Sequence, residues 1–466
     1  MKKQKTVFKI AYIALALLIC VTPFVCMSFA RTDDTTENRR LAAFPALKTE
    51  EGFNVDFLSQ LGDYFEDHFA FRNRIVALDG KTQALFGVSN AETVVKGTGG
   101  WLYYTSTVPD YQRLNVFTDR EAFNAAHNLA LTRDYVEGSG ARFVLTVAPN
   151  KNTLYPENMP YYYPAGAGET SIEKLAPLLE EYGIGYVDLF TLFRAQDETL
   201  YLQRDSHWNN KGALLAYNAL ADAAGKAHDT YASAGVTRKK DEIGDLGRMA
   251  YSVLAEPEWN YRYDIPQHYV YTTPQADVEA AYIVTENAEA NGTLLMFRDS
   301  FGNTLIPLLA EAWGKACFSK ATPYLLDLYI GLNAPDTVIV EKVERNLADF
   351  AKDPPVFAAP EVTLSGEAQA LETAGTVKTG QAEADMRFMR VYGSTGTDLA
   401  YDVVYVVVDC AAYEAFTVTT GTGDDGYTAF LPEEALAGAE NIQIWIKADG
   451  RLYEAASAPT EIPEGN

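Results

Sequence analysis

Apolar and polar positions along this chain of 466 residues follow two periods. From about residue 93 to 353, short buried-type runs alternate with helical stretches. Ala141 to Ala148 (ARFVLTVA) is a strand ended by Pro149, and Lys174 to Tyr182 is a helix. The strand Gly185 to Leu189 follows, then a helix from Asn210 to about Ala227, the strand Thr293 to Phe297, a helix from Phe301 to Trp313 and the strand Asp336 to Glu341. Alternating strands and helices predict a mainly parallel sheet covered by helices on both faces, a three-layer α/β/α domain. Upstream, Phe57, Leu58, Leu61, Phe65, Phe69 and Ile75 recur at helical spacing between Phe53 and Leu78, which predicts one or two amphipathic helices. Gly97, Gly99 and Gly100 before Trp101-Leu102-Tyr103 mark a turn leading into a strand.

After residue 353 the pattern changes. Pro354 to Pro360 is rich in proline and alanine and is expected to link two domains. Beyond it, Tyr401 to Asp409 and Ile442 to Lys447 are strand-like, the latter joined to Leu452 through Ala448-Asp449-Gly450-Arg451. Asp-Gly between apolar runs signals a hairpin. The expectation is an all-β, sandwich-like domain over residues 361–466. Aromatic residues in its strands (Tyr401, Tyr405, Tyr427, Trp445, Tyr453) read first as core, with sugar stacking as the alternative.

The N-terminus adds an export signal. Lys2, Lys3, Lys5 and Lys9 precede an uncharged run from Ile10 to Ala30, long enough for the roughly 20 residues that span a bilayer. The reading is an uncleaved signal anchor over residues 1–31, with the lysines cytoplasmic and the rest outside. Ser28-Phe29-Ala30 keeps cleavage, and hence secretion, open. A polar stalk and the amphipathic helices fill 32–92.

Charge and cysteine content exclude several classes. A formal net charge of −25 leaves no basic surface for nucleic acid. Cys317 and Cys410 are the only cysteines beyond the apolar segment and are expected to be free thiols. Five histidines without an HExxH or HxH pattern argue against a metal centre, and no glycine-rich phosphate loop argues for a nucleotide-type cofactor.

Two segments carry candidate chemistry. In Arg204-Asp205-Ser206-His207-Trp208-Asn209, extended backbone sends Asp205 and His207 to the same side, where the carboxylate could orient the imidazole, and Asn209 can cap the following helix. In Arg298-Asp299-Ser300-Phe301-Gly302, a strand ends in a serine at the start of a helix. That turn presents a nucleophile above the sheet edge, and the amides of Ser300, Phe301 and Gly302 are candidates for holding an oxyanion. A serine nucleophile needs a base, and the base an orienting acid, so the two segments support each other.

With these motifs the chain resembles the alginate O-acetyltransferase family and its DHHW relatives. The resemblance covers residues 37–350. It rests on Asp205-Ser206-His207-Trp208 followed by Asp299-Ser300-Phe301, and on ordered matches at Glu37 to Leu41, Asp67-His68-Phe69, Gly99 to Tyr103, Ala148 to Lys151, Gly244-Asp245-Leu246 and Glu344 to Leu347. Ser206 departs from the His that the DHHW name implies, and Arg298 stands where related hydrolases often have Gly. The resemblance implies a circularly permuted, SGNH-hydrolase-like fold with Ser300 as nucleophile, His207 as base and Asp205 as its orienter. Arg298, Arg345 and Asn346 are supporting candidates. It implies acetyl transfer onto a cell-surface or secreted polysaccharide, with a membrane-bound O-acyltransferase as the donor's source. A carbohydrate acetylesterase with the same triad and a non-catalytic membrane-anchored scaffold are the alternatives.

Overall fold

The computed structural model describes residues 2–27, 42–49, 52–72, 74, 92–251, 255–274, 277–409, 411–421 and 423–460. The expected stalk at 31–40, the matches at Glu37 to Leu41, and Ile75 and Cys410 lie outside these. The chain divides into two compact units: residues 1–105, 202–206 and 239–260 form one, and residues 106–201, 207–238 and 261–466 the other.

In the first unit, the apolar N-terminal segment is a helix, Lys2–Cys26, with Pro23 inside it. Among the described residues no helix is long and apolar enough to cross a membrane. The spanning helix expected there is therefore not found. The uncharged part of that helix, Ile10 to Cys26, rises about 25 Å against a hydrocarbon core of about 30 Å. The expected amphipathic helix is present as Phe57–His68. It stops where Phe69 turns to extended backbone, and its buried Asp67 accepts the Ala42 amide at 2.8 Å. The glycine-punctuated turn is a hairpin of Val94–Lys96 and Leu102–Tyr104, with Gly99 and Gly100 at positive φ. Val94 and Leu102 pack with Leu246.

The second unit contains the expected layered α/β arrangement. Seven strands lie in the spatial order Tyr186–Val187, Arg142–Ala148, Thr337–Val343, Thr293–Phe297, Lys315–Ser319, Tyr282–Glu286 and Val270–Tyr271. The first five are mutually parallel and the last two antiparallel additions. Successive strand residues face opposite layers, as the two-residue repeat demands. Leu295, Phe297, Val338 and Val340 join the core under the helices Asp119–Gly138 and Ser171–Glu181, while Leu294, Met296 and Ile339 join the core under the helix Asn210–Ala223. The predicted helix from Phe301 begins as a 3-10 turn, Phe301–Thr304, and becomes α-helical only at Ile306–Ala312.

One element escaped the sequence analysis and one expectation changes in detail. The 20-residue helix Asp119–Gly138 is the longest of this unit, yet its buried residues include Asn124, His127, Asn128 and Thr132, which blur the apolar stripe. Asn124, His127 and Asn128 meet the β-domain, while the Thr132 hydroxyl donates back to the Asn128 carbonyl. Asn128 donates to the Phe350 and Thr417 carbonyls, both at 2.9 Å, and accepts the Thr417 amide at 3.1 Å. The segment around Pro354 to Pro360 is not a free connector, since Val356 and Phe357 are buried and their neighbours bond to Tyr324 and Phe430.

The C-terminal region is mainly β, with one short helix, Glu433–Leu436, and strands ordered Gln369–Ala370, Arg451–Pro459, Asn441–Ala448, Val403–Val408, Ala411–Thr420, Gly423–Pro432, Phe388–Ser394 and Thr376–Gln381, with Glu361–Val362 added on Ala411–Thr420. Ala411–Thr420 pairs Val403–Val408 through its first half and Gly423–Pro432 through its second. The sheet thereby curls over one core containing Val391, Ala429, Val404 and Ile444. Asp449 and Gly450 both have positive φ in the predicted hairpin, as a tight primed turn requires. Tyr401, Tyr405 and Tyr427 are buried and Trp445 and Tyr453 partly so, in keeping with core residues.

Candidate active site

Ser300 sits where the parallel strand Thr293–Phe297 gives way to the 3-10 turn, at the carboxyl edge of the sheet. His207 precedes the helix Asn210–Ala223 in the same unit. Asn209 caps that helix as predicted, its Oδ1 accepting the Lys211 and Gly212 amides at 3.0 Å each. This fixed start delivers the ring. His207 Nε2 lies 2.8 Å from Ser300 Oγ, the separation at which the hydroxyl donates to an unprotonated ring nitrogen.

The ring is held from behind by Phe301, which is fully buried and has its centroid 4.7 Å from that of His207. Trp208 meets Phe301 edge-on at 4.9 Å and donates through Nε1 to Thr304 Oγ at 2.6 Å. Two segments almost a hundred residues apart in sequence are thus locked side by side.

The turn around Ser300 is shaped by charged groups that sequence reasoning left without a role. Asp299 accepts the Phe301 amide at 2.9 Å through Oδ1 and the Val343 amide at 2.6 Å through Oδ2, tying the serine turn to the end of the neighbouring strand. The Asp299 amide in turn donates to Glu341 Oε2 at 3.1 Å. Glu341 is fully buried, and burial first, then the negative charge of Asp299, pushes its carboxyl well above the ordinary range. An acidic residue closing an otherwise apolar strand, as in DTVIVE, was the available signal.

Arg298 is almost fully buried. It donates to the Asp299 carbonyl at 3.1 Å, to Asn303 Oδ1, and to the Val278 and Ala280 carbonyls at 2.7 and 3.3 Å. It therefore braces the turn. A Cβ on Gly302 would stand 2.7 Å from Arg298 Cβ, which explains the glycine there. Of the three amides considered for an oxyanion, that of Phe301 is occupied by Asp299, whereas those of Ser300 and Gly302 have no hydrogen-bond partner among the described residues.

Arg345 lies beyond the adjacent strand, its guanidinium 5.9 Å from the Phe301 ring centroid. Asn346 shares the 3-10 turn Glu344–Asn346 and has no hydrogen bond to His207 or Ser300. The neighbouring Glu344 is buried. It accepts the Asn150 amide at 2.8 Å and the Thr153 hydroxyl at 2.7 Å, and burial pushes its carboxyl up to about 7 despite these bonds.

Asp205 belongs to the first unit. Its Oδ2 accepts the Asp245 amide at 2.9 Å, and the Asp245 carboxylate accepts the Ser206 amide at 2.7 Å and the Ser206 hydroxyl at 2.5 Å. Ser206, the departure from the DHHW pattern, thus pins its own segment to Asp245. Gly244 is there because a Cβ would lie 2.2 Å from the Arg204 carbonyl oxygen. Cys317 is buried and free, as expected.

Residues 94–294 match the family model described as the SGNH hydrolase-like domain of the acetyltransferase AlgX. The match takes in His207 and stops short of Ser300. The probable alginate O-acetylase AlgJ of Pseudomonas syringae pv. tomato is 30% identical to this chain over 169 residues, which make up 34% of this chain and 40% of that relative's length. The solved structure of Bacillus cereus PatB1 overlays 55% of this chain and 98% of its own at 16% identity and a TM-score of 0.45. That of a DHHW family protein from Eubacterium siraeum overlays 55% and 95% at 18% and 0.42.

Proposed function

We propose that this chain is an extracytoplasmic serine O-acetyltransferase that passes an acetyl group through Ser300 onto hydroxyls of a polysaccharide. The observation that carries the reading is the 2.8 Å approach of His207 Nε2 to Ser300 Oγ on a turn whose Ser300 and Gly302 amides are unpartnered.

In the first step His207 Nε2 takes the Ser300 proton as Oγ bonds to the carbonyl carbon of an acetyl ester. The oxyanion is held by the Ser300 and Gly302 amides. The donor's alkoxide leaves with the proton from His207, leaving acetyl-Ser300. In the second step His207 removes a proton from a sugar hydroxyl, whose oxygen attacks the acetyl carbon, and Ser300 leaves with that proton. Asp205, two residues before His207, orients the ring and offsets the imidazolium charge. Arg345 and Asn346 serve the mouth of the site. Neither step requires a metal or a nucleotide-type cofactor.

The acetyl donor is supplied by a membrane-bound O-acyltransferase, and the N-terminal segment exports the chain. The match to an alginate O-acetylase over part of its length supports the class of acceptor. The test is incubation of residues 31–466 with a chromogenic acetyl ester, with mass spectrometry of Ser300 and measurement of the acetyl partition between sugar and water. Acetyl-Ser300 that passes to sugar supports transfer. Hydrolysis alone at saturating acceptor would make the chain an esterase, and no acetyl-Ser300 with any ester donor would leave a scaffold.

A further inference from the structure

Three consecutive tyrosines, Tyr161-Tyr162-Tyr163, stand in the loop that follows the strand Arg142–Ala148. Tyr161 is 93% and Tyr162 58% exposed. Neighbouring rings stand edge to face at 5.5 Å and tilted at 5.2 Å, so they form one aromatic surface. Water-exposed aromatic area of this kind costs free energy and contributes nothing to the core.

The loop beneath is fixed. Met159 and Pro160 are buried, the Tyr163 amide donates to the Pro160 carbonyl at 2.9 Å, and the Gly166 amide donates to the Tyr111 carbonyl at 3.0 Å. Gly166 passes so near that a Cβ would lie 2.2 Å from the Gln112 carbonyl oxygen. The rings are therefore presented by an anchored loop.

Its place is on the catalytic edge. Arg142–Ala148 and Thr293–Phe297 are parallel and flank Thr337–Val343 on either side, so the loops leaving them start roughly 10 Å apart. The Pro149 carbonyl accepts the Tyr201 hydroxyl at 2.6 Å, and Tyr201 packs 6.1 Å from Phe301 beside Ser300.

We propose that Tyr161, Tyr162 and Tyr163 form a stacking subsite for sugar rings of the acceptor polymer beyond the one being acetylated. This rests on the acetyltransferase reading. The apolar C–H face of a pyranose matches a tyrosine ring, and the phenol hydroxyls can bond the sugar's hydroxyls. A chain of net charge −25 has no electrostatic attraction for a polyanion, so recognition falls to stacking, which favours a neutral stretch of polymer.

The experiment is a calorimetric titration of a neutral β-1,4-glucan hexamer into the Ser300→Ala form of residues 31–466, with and without Tyr161→Ala plus Tyr162→Ala, and with Tyr161→Trp. The double alanine variant should weaken binding about tenfold or more while Tyr161→Trp retains it. In the Ser300 form, the double variant should raise the acceptor concentration for half-maximal transfer per acetyl-Ser300 formed. Equal binding by native and double-alanine proteins, or no hexamer binding at all, overturns the proposal and assigns the rings to a protein surface. Failure of the acetyltransferase reading shows separately, as absence of acetyl-Ser300 in the native protein.

Discussion

Replacing Glu344 by glutamine should remove a loss of stability that the native chain suffers as the pH rises through neutrality. Burial raises this carboxyl from 4.5 to about 7, so the folded state holds a proton that the unfolded state has already released. The stability linked to that proton is fully present below pH 4.5 and is lost as the pH rises through 7. At 1.36 kcal/mol per pH unit the whole effect is about 3 kcal/mol, most of it between pH 5 and 8. A glutamine Oε1 can still accept the Asn150 amide and Thr153 hydroxyl that Glu344 Oε2 accepts now, so the change isolates the charge. Urea unfolding of both proteins at pH 5 and pH 8 measures it. The variant should gain on the native chain by about 2 to 3 kcal/mol between the two pH values. The same stability difference at both pH values would refute the argument, because a carboxyl titrating normally contributes no such slope.

Other outcomes test the site and its frame. Ser300→Ala and His207→Ala should each cut ester turnover by about a thousandfold or more, read from the chromogenic rate, because each removes half of the nucleophile and base pair. Asp299→Ala frees the Phe301 and Val343 amides and should lower kcat by about tenfold to a hundredfold with little change in KM; an unchanged kcat would mean the serine turn holds its shape without that carboxylate. Asn128→Ala strands three buried backbone groups and should cost about 3 to 5 kcal/mol in denaturant unfolding. Gly244→Ala would drive a methyl into the Arg204 carbonyl and should lower turnover by displacing the Asp205 segment, which leaves Ser300 acetylation detectable but slower.

By itself the sequence determined the period of each element and the identity of the reactive groups. Thr293 to Phe297 was legible as a strand because four apolar residues in a row follow Thr293, and Asp449-Gly450 as a hairpin because few other pairs accept two positive φ values. His207 and Ser300 could be named because a base and a nucleophile are scarce residue types placed at the ends of predictable elements. Pairing over ninety-three positions, in contrast, is a tertiary fact, and only folding placed Nε2 against Oγ. The same holds for Asn124, His127 and Asn128, which hide a long helix from periodicity because their partners are groups distant in sequence. Asp299 read as half of an Asp-Ser motif, and Glu341 as the end of a strand. Their bond exists only once the Thr293–Phe297 and Thr337–Val343 strands lie side by side, where burial raises the pKa of one carboxyl and the other accepts two amides. Local propensity depends on neighbours in the chain, whereas burial, protonation and which amide remains open depend on neighbours in space, and those the fold alone supplied.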